Sequence, residues 1–198
     1  MTAPRTARIE RATKETQIVL ELSLDGRGTA NVQTGLGFFD HMLSQIARHG
    51  RFDLSVQGTG DLETDSHHLV EDVGLALGDA LVLALGKDTP IARYGEAHVP
   101  LDETLSRVVV DLSGRPYCVF EAEMPSVVLG NGYQTEMTRE FFVAFAMRAR
   151  ANVHATVLYG VNTHHKVESL FKALARALRF ATRLDGDDIP STKGTLSV

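Results

Sequence analysis

The chain has 198 residues, and 20 Lys and Arg set against 25 Asp and Glu leave a formal net charge of -5. That balance argues against a general nucleic-acid binder but leaves room for a local basic pocket that takes a small anion. One cysteine, Cys118, excludes an intrachain disulfide framework, and with no apolar run of about 18 residues and no apolar signal region the reading is a soluble, cytoplasmic protein that neither spans a membrane nor binds nucleic acid.

The first ten residues read as a flexible arm. A strand is predicted over 16–24, with Ile18, Leu20, Leu22 and Leu24 on one face. Asp25-Gly26 is a hairpin signal, and 28–33 is the expected returning strand. Phe38, Met42, Leu43 and Ile46 have helical spacing over 38–49, and 52–57 alternates as a strand. A long helix follows over 66–85, with Leu69, Val73, Leu77, Ala80 and Ala84 as its core stripe and Ser66 placed to cap it. The same order then recurs: a strand over 104–112, a turn at Ser113-Gly114 and a return over 116–121. A helix over 134–150, a strand over 153–159 and a long helix over 163–184 complete it. The chain therefore reads as a tandem duplication of the α+β class. Each half is a small mixed sheet with two helices on one face, and the halves meet helix against helix to cover their apolar faces.

The duplication is also visible in letters. His67-His68-x-x-Glu71 opens the first long helix and His164-His165-x-x-Glu168 opens the second. Positions i and i+4 stack on one helical face, so each leading histidine and its glutamate can reach one metal ion. Adjacent residues diverge by about 100° around a helix, so the two histidines of each pair point to different centres. His41 adds an imidazole from the first short helix, with Glu140 as its counterpart in the repeat. The candidate ligands are His41, His67, His68, Glu71, Glu140, His164, His165 and Glu168, a set suited to Mn, Fe, Co, Ni or Zn. Capping or surface roles are disfavoured because four of only eight histidines fall in two repeated dipeptides. His154, on a predicted strand, reads as structural or supporting, and His49 and His98 read as non-ligands.

Arg93, Arg115, Lys172, Ser191 and Lys193 are small donors and cations that suit a phosphate group. No Walker A pattern or dinucleotide-binding glycine loop is present. Glu15, Asp102, Glu71 and Glu168 supply carboxylates for proton transfer. These residues describe an acid/base metalloenzyme without naming its substrate.

Several motifs resemble one family in order along the chain. They are Arg11-x-Thr13-x-Glu15-Thr16, Phe38-Phe39-Asp40-His41-Met42-Leu43, the two HHxxE segments, Arg93-Tyr94-Gly95 and Pro100-Leu101-Asp102-Glu103. Asp111-Leu112-Ser113-Gly114-Arg115-Pro116-Tyr117, Phe171-Lys172-Ala173 and Pro190-Ser191-Thr192-Lys193-Gly194 complete the set. Together they are similar to the imidazoleglycerol-phosphate dehydratases of histidine biosynthesis. The resemblance implies loss of water from imidazole glycerol phosphate to give imidazole acetol phosphate, through metal-stabilised imidazolate and diazafulvene-like intermediates, with two Mn²⁺ ions per active site. It implies Glu168 as base or metal-shuttling carboxylate, and Glu15 or Asp102 for the leaving hydroxyl or the tautomerisation. Gln45, Arg93, Arg115, Lys172, Ser191 and Lys193 would surround the substrate and its phosphate. Some members carry histidine as a ligand where this chain has Glu140, and glutamate is expected to ligate in its place. The implied fold is two four-stranded half-domains, 8–90 and 91–190, each similar to domain 2 of ribosomal protein S5, with 191–198 as a substrate-contacting tail. The implied assembly is a homo-24-mer built from trimers, with active sites at subunit interfaces. The alternatives are a metal-dependent lyase or hydrolase of another phosphate ester, and a metal-stabilised storage assembly.

Overall fold

Two four-stranded sheets of the same design carry the chain. The computed structural model describes residues 4–87 and 89–192. In the first half the elements are β1 (Thr6–Ala12), β2 (Thr16–Ser23), β3 (Ala30–Gln33), α1 (Gly37–Gly50), β4 (Asp53–Gly60) and α2 (His67–Leu85). The second half runs β5 (Tyr94–Leu101), β6 (Thr104–Asp111), β7 (Tyr117–Glu121), β8 (Val128–Leu129), β9 (Tyr133–Gln134), α3 (Met137–Arg148), β10 (Asn152–Tyr159) and α4 (Thr163–Ala181). The strand orders are β1-β2-β4-β3 and β5-β6-β10-β7. In each sheet the last pair is parallel and the other two are antiparallel. The expected tandem duplication of mixed sheets with two helices each is what forms.

The helices lie between the sheets. Sheet one is covered chiefly by α2 and sheet two by α4, while α2 packs on α3 and α1 on α4 across the two halves. The α2–α3 seam is close because Gly74 and Gly78 face it: a Cβ on Gly78 would lie 2.7 Å from Ala149 N and 2.8 Å from Phe145 O. Arg148 seals the edge with two hydrogen bonds to Asp79, each 2.8 Å. The β8–β9 hairpin also joins the halves. Asn131 accepts from Gly37 N at 2.7 Å and donates to Gly35 O at 2.7 Å, while buried Tyr133 stacks on Phe39.

Several expectations need correction. Thr6–Glu10 lie in a strand, not a flexible arm: β1 pairs with β2 from Thr6↔Ser23 to Ala12↔Gln17. The two expected hairpins do not close. Asp53 accepts from Arg27 N and Thr29 N at 2.9 Å each, which turns the chain past β2 so that β3 pairs in parallel with β4. Correspondingly, β7 pairs in parallel with β10 and not with β6. Ser66 makes no cap to α2; its hydroxyl donates to Gln134 Oε1 at 3.2 Å, and Asp65 Oδ1 takes the His67 N–H at 2.7 Å. Residues 134–136 precede α3 because Tyr133 and Gln134 are held in the β8–β9 pair.

Candidate metal centre

His41 is placed by the start of α1. Asp40 accepts from Thr34 N at 2.9 Å and Thr34 Oγ1 at 2.6 Å, while Phe38 and Phe39 are buried beneath. Those contacts fix the first turn and leave His41 half exposed. The α1–α4 packing then brings it to the first turns of α4. Asn162 caps that helix, its side chain accepting from His165 N at 3.3 Å. Phe38 meets the His164 ring edge-on at 5.0 Å.

Three side chains converge here. His164 Nε2 lies 2.9 Å from Glu168 Oε2, and His41 Nε2 lies 3.4 Å from the same oxygen. Their ligand atoms all fall within 4.8 Å of one another, the one such group of three or more among the described residues. A divalent ion binds imidazole nitrogen and carboxylate oxygen at about 2.0–2.2 Å, so donors spaced this closely fit one ion. Both histidines are nearly half exposed, which leaves further coordination positions reachable. Three protein ligands with an open side suit a catalytic ion.

Glu168 itself is buried. Burial pushes its pKa up, but the Lys172 ammonium at 2.6 Å from Oε1, with His164 and His41 on the other oxygen, outweighs that and holds the carboxyl below its usual range. With Oε1 taken by Lys172, Oε2 is the oxygen left for an ion. Gln45 lies within 3.3 Å of the His41 ring and meets His49 Nε2 at 3.0 Å. His49, expected as a non-ligand, is thus a neighbour of the site through Gln45. Burial, then Lys172 and Arg176, lower its pKa.

The remaining candidates occupy other places. His67 Nε2 is 3.8 Å from Glu71 Oε2, the counterpart of the His164–Glu168 pair. His68 turns away: its Nδ1 is 3.0 Å from Asp61 Oδ2 and 3.9 Å from Glu15 Oε2, and the Asp61 hydrogen bond raises its pKa. His165 Nδ1 is 2.7 Å from Glu103 Oε2, while its Nε2 is 3.8 Å from Asp102 Oδ2. Glu103 is pushed far below the usual carboxylate range by the N–H of Asn162, His165, the N–H of Val161 and the Thr104 hydroxyl. Glu140 pairs with Arg139 at 2.9 Å, outside the three-residue group. His98 and His154 point from the face of the second sheet opposite α4.

Arg93, in the left-handed region at φ 67°, holds Asp111 with Nε at 2.7 Å and a terminal nitrogen at 3.1 Å. Its other terminal nitrogen donates to Pro190 O at 2.8 Å, so it ties down the approach to the tail. Arg115 follows the Ser113-Gly114 turn, with its carbonyl accepting from Asn152 at 2.6 Å. Ser191 N donates to Ile189 O at 2.7 Å. Lys193 lies outside the described residues. Sequence reasoning missed Asp61 and gave Glu103 no role of its own. Asp61 lies past the end of β4 with no motif around it, whereas Glu103 was findable as the repeat counterpart of Glu15, each one residue before the second strand of its half.

A family model described as imidazoleglycerol-phosphate dehydratase matches residues 34–178. The imidazoleglycerol-phosphate dehydratase of Limosilactobacillus fermentum is 55% identical over 194 residues, covering 97% of this chain and 100% of its own. That of Methanosarcina mazei is 51% identical over 192 residues, with 97% and 100% covered. The solved Staphylococcus aureus dehydratase superposes with a TM-score of 0.82 at 36% identity, covering 91% of this chain and 99% of that one. The Pyrococcus furiosus enzyme gives 0.80 at 36%, covering 95% and 100%. On both sequence and fold, the chain belongs to the imidazoleglycerol-phosphate dehydratase family.

Proposed function

We propose that this protein removes water from imidazole glycerol phosphate, giving imidazole acetol phosphate in histidine biosynthesis. The observation that carries the reading is the convergence of His41, His164 and the buried Glu168 carboxylate, in a chain whose relatives bear that activity in their names. The donors fit Mn²⁺, and the reading assigns two ions per active site. One is held by His41, His164 and Glu168; His67, His68, Glu71, Glu140 and His165 supply the remaining ligands. When bound, such an ion acts as a Lewis acid that draws electron density from the substrate's imidazole ring and acidifies the adjacent C–H.

The protein's own groups then move the protons. Glu168 is assigned as the base or metal-shuttling carboxylate: to take the C–H proton it must free Oε2, while Lys172 on Oε1 keeps it ionised and oriented for that task. Glu15 or Asp102, both exposed beside a histidine of the motifs, delivers a proton to the departing hydroxyl, so that water leaves and an enol remains. The enol gains a proton on carbon and loses one from oxygen to become the ketone. Gln45 orients the ring side of the site, and Arg93, Arg115, Lys172, Ser191 and Lys193 hold the substrate and its phosphate. In this reading residues 8–90 and 91–190 are the two half-domains, each similar to domain 2 of ribosomal protein S5, and 191–198 is the tail that closes on substrate. Among the described residues no helix is long and apolar enough to cross a membrane. With that and the small phosphorylated substrate, the reading places the enzyme in the cytoplasm.

The test is conversion of imidazole glycerol phosphate by metal-stripped and then Mn²⁺-restored protein, with product followed by mass spectrometry. Turnover should vanish on stripping and return with Mn²⁺. Absence of product from folded protein that carries the metal would reject the substrate.

A further inference from the structure

Among the four histidines of the two motifs, only the second of each pair has a carboxylate on Nδ1. Asp61 faces Nδ1 of His68 and Glu103 faces Nδ1 of His165, whereas His67 and His164 meet their glutamates through Nε2. We propose that Glu103 is a positioning residue: it fixes His165 as the Nδ1–H tautomer and so presents the Nε2 lone pair to a metal ion. This rests on the reading of His165 as a metal ligand.

The tautomer follows from where the donors lie. Glu103 Oε1 accepts from Asn162 N at 2.8 Å, Val161 N at 3.0 Å and Thr104 Oγ1 at 2.8 Å. Three donors on one oxygen leave the carboxylate no freedom to rotate, and Oε2 is aimed at His165 Nδ1, 2.7 Å away. An ionised carboxylate only accepts, so Nδ1 carries the hydrogen, and in the neutral ring that leaves Nε2 bare. The backbone of the same residue is pinned too, by His165 N donating to Asn162 Oδ1. Both the ring and its base are therefore set before any ion arrives, a role typical of groups that support metal-binding imidazoles.

The arrangement makes Glu103→Gln more damaging than Glu103→Ala. In the Gln variant the two backbone N–H groups demand the amide oxygen at the Oε1 position. The NH₂ must then face His165 Nδ1 and donate to it. That forces the opposite tautomer, with a hydrogen on Nε2 where the ion should bind. In the Ala variant the ring is free to take either tautomer. A merely structural role predicts the reverse order, because Gln keeps the contacts to residues 161 and 162 and Ala loses them all.

Isothermal titration of metal-stripped protein with Mn²⁺ decides between them, with thermal midpoints of the stripped proteins as the fold control. The expected affinity falls about 10-fold for Glu103→Ala and about 100-fold for Glu103→Gln, while the stripped Gln variant melts near the wild type. Wild-type affinity in either variant, or Gln binding more tightly than Ala, overturns the proposal. His165→Ala separates the two layers. If it weakens Mn²⁺ binding and Glu103→Gln does not, only the positioning role fails. If His165→Ala binds as the wild type does, the ligand reading of His165 fails and the proposal goes with it.

Discussion

His164 and His165 are neighbours in the chain, yet their rings stand at 83° and serve different carboxylates, Glu168 and Glu103. That divergence was legible from the dipeptide alone, since adjacent helical residues point about 100° apart. So was the pairing of His164 with Glu168 at i,i+4. His41 was a candidate from its own helix, but spacing could not supply its partners: it reaches the same oxygen only because α1 lies against α4, and an aromatic-rich helix with two histidines has no local signature of that meeting. Lys172 was expected near a phosphate. Its contact in this chain is the buried Glu168, and that contact has a measurable cost of removal. In metal-stripped protein, Lys172→Met should lower stability by about 2 kcal/mol, because hydrogen bonds to charged groups contribute about 1.5–3 kcal/mol and the carboxylate keeps only imidazole partners. The urea midpoint of stripped protein checks it. An unchanged midpoint would mean that His41 and His164 suffice to hold the charge.

At the scale of elements, the long amphipathic helices were readable and the leading strand of each half, β1 and β5, was not. In β1 the outward residues are charged: Arg8 pairs with Glu10 and Glu21 across the exposed face, so no apolar stripe announces a strand. β5 escaped for the opposite reason. Its inward positions are Gly95, Ala97 and Val99, small because α4 lies directly upon them; a Cβ on Gly95 would come within 2.0 Å of Ala177 O. Close packing thus erases the bulky alternation by which a strand is recognised. The same constraint makes the α2–α3 seam testable. Gly78→Ala gains about 1 kcal/mol in intrinsic helix propensity. The added methyl, however, meets backbone atoms of Phe145 and Ala149 that cannot rotate away, and overpacking of that kind costs about 1–3 kcal/mol. The clash should win, giving a net loss of up to about 2 kcal/mol in urea unfolding. A stabilised variant would show that α3 can withdraw from α2 freely.

For the whole molecule, the duplication places equivalent HHxxE segments at the starts of α2 and α4, but the two are not equally furnished. Around α4 the neighbouring half supplies His41, and one ligand group is complete. Around α2, His67 and Glu71 stand 3.8 Å apart and no third ligand joins them among the described residues. His165 Nε2 likewise belongs to no group of three ligands among the described residues, its nearest carboxylate being Asp102 Oδ2 at 3.8 Å. On the proposed reading a second ion would draw its ligands from more than one chain, the arrangement that the expected 24-mer built from trimers would supply. Ligands divided between chains link metal binding to association, because an ion that binds only the assembled form stabilises it by mass action. Light scattering of dilute protein should then show a lower molar mass after chelation and recovery on adding Mn²⁺, and the loaded protein's thermal midpoint should rise with protein concentration. A mass that does not depend on metal would detach assembly from the site, and His67, Glu71 and His165 would then need to find their ion within a single chain.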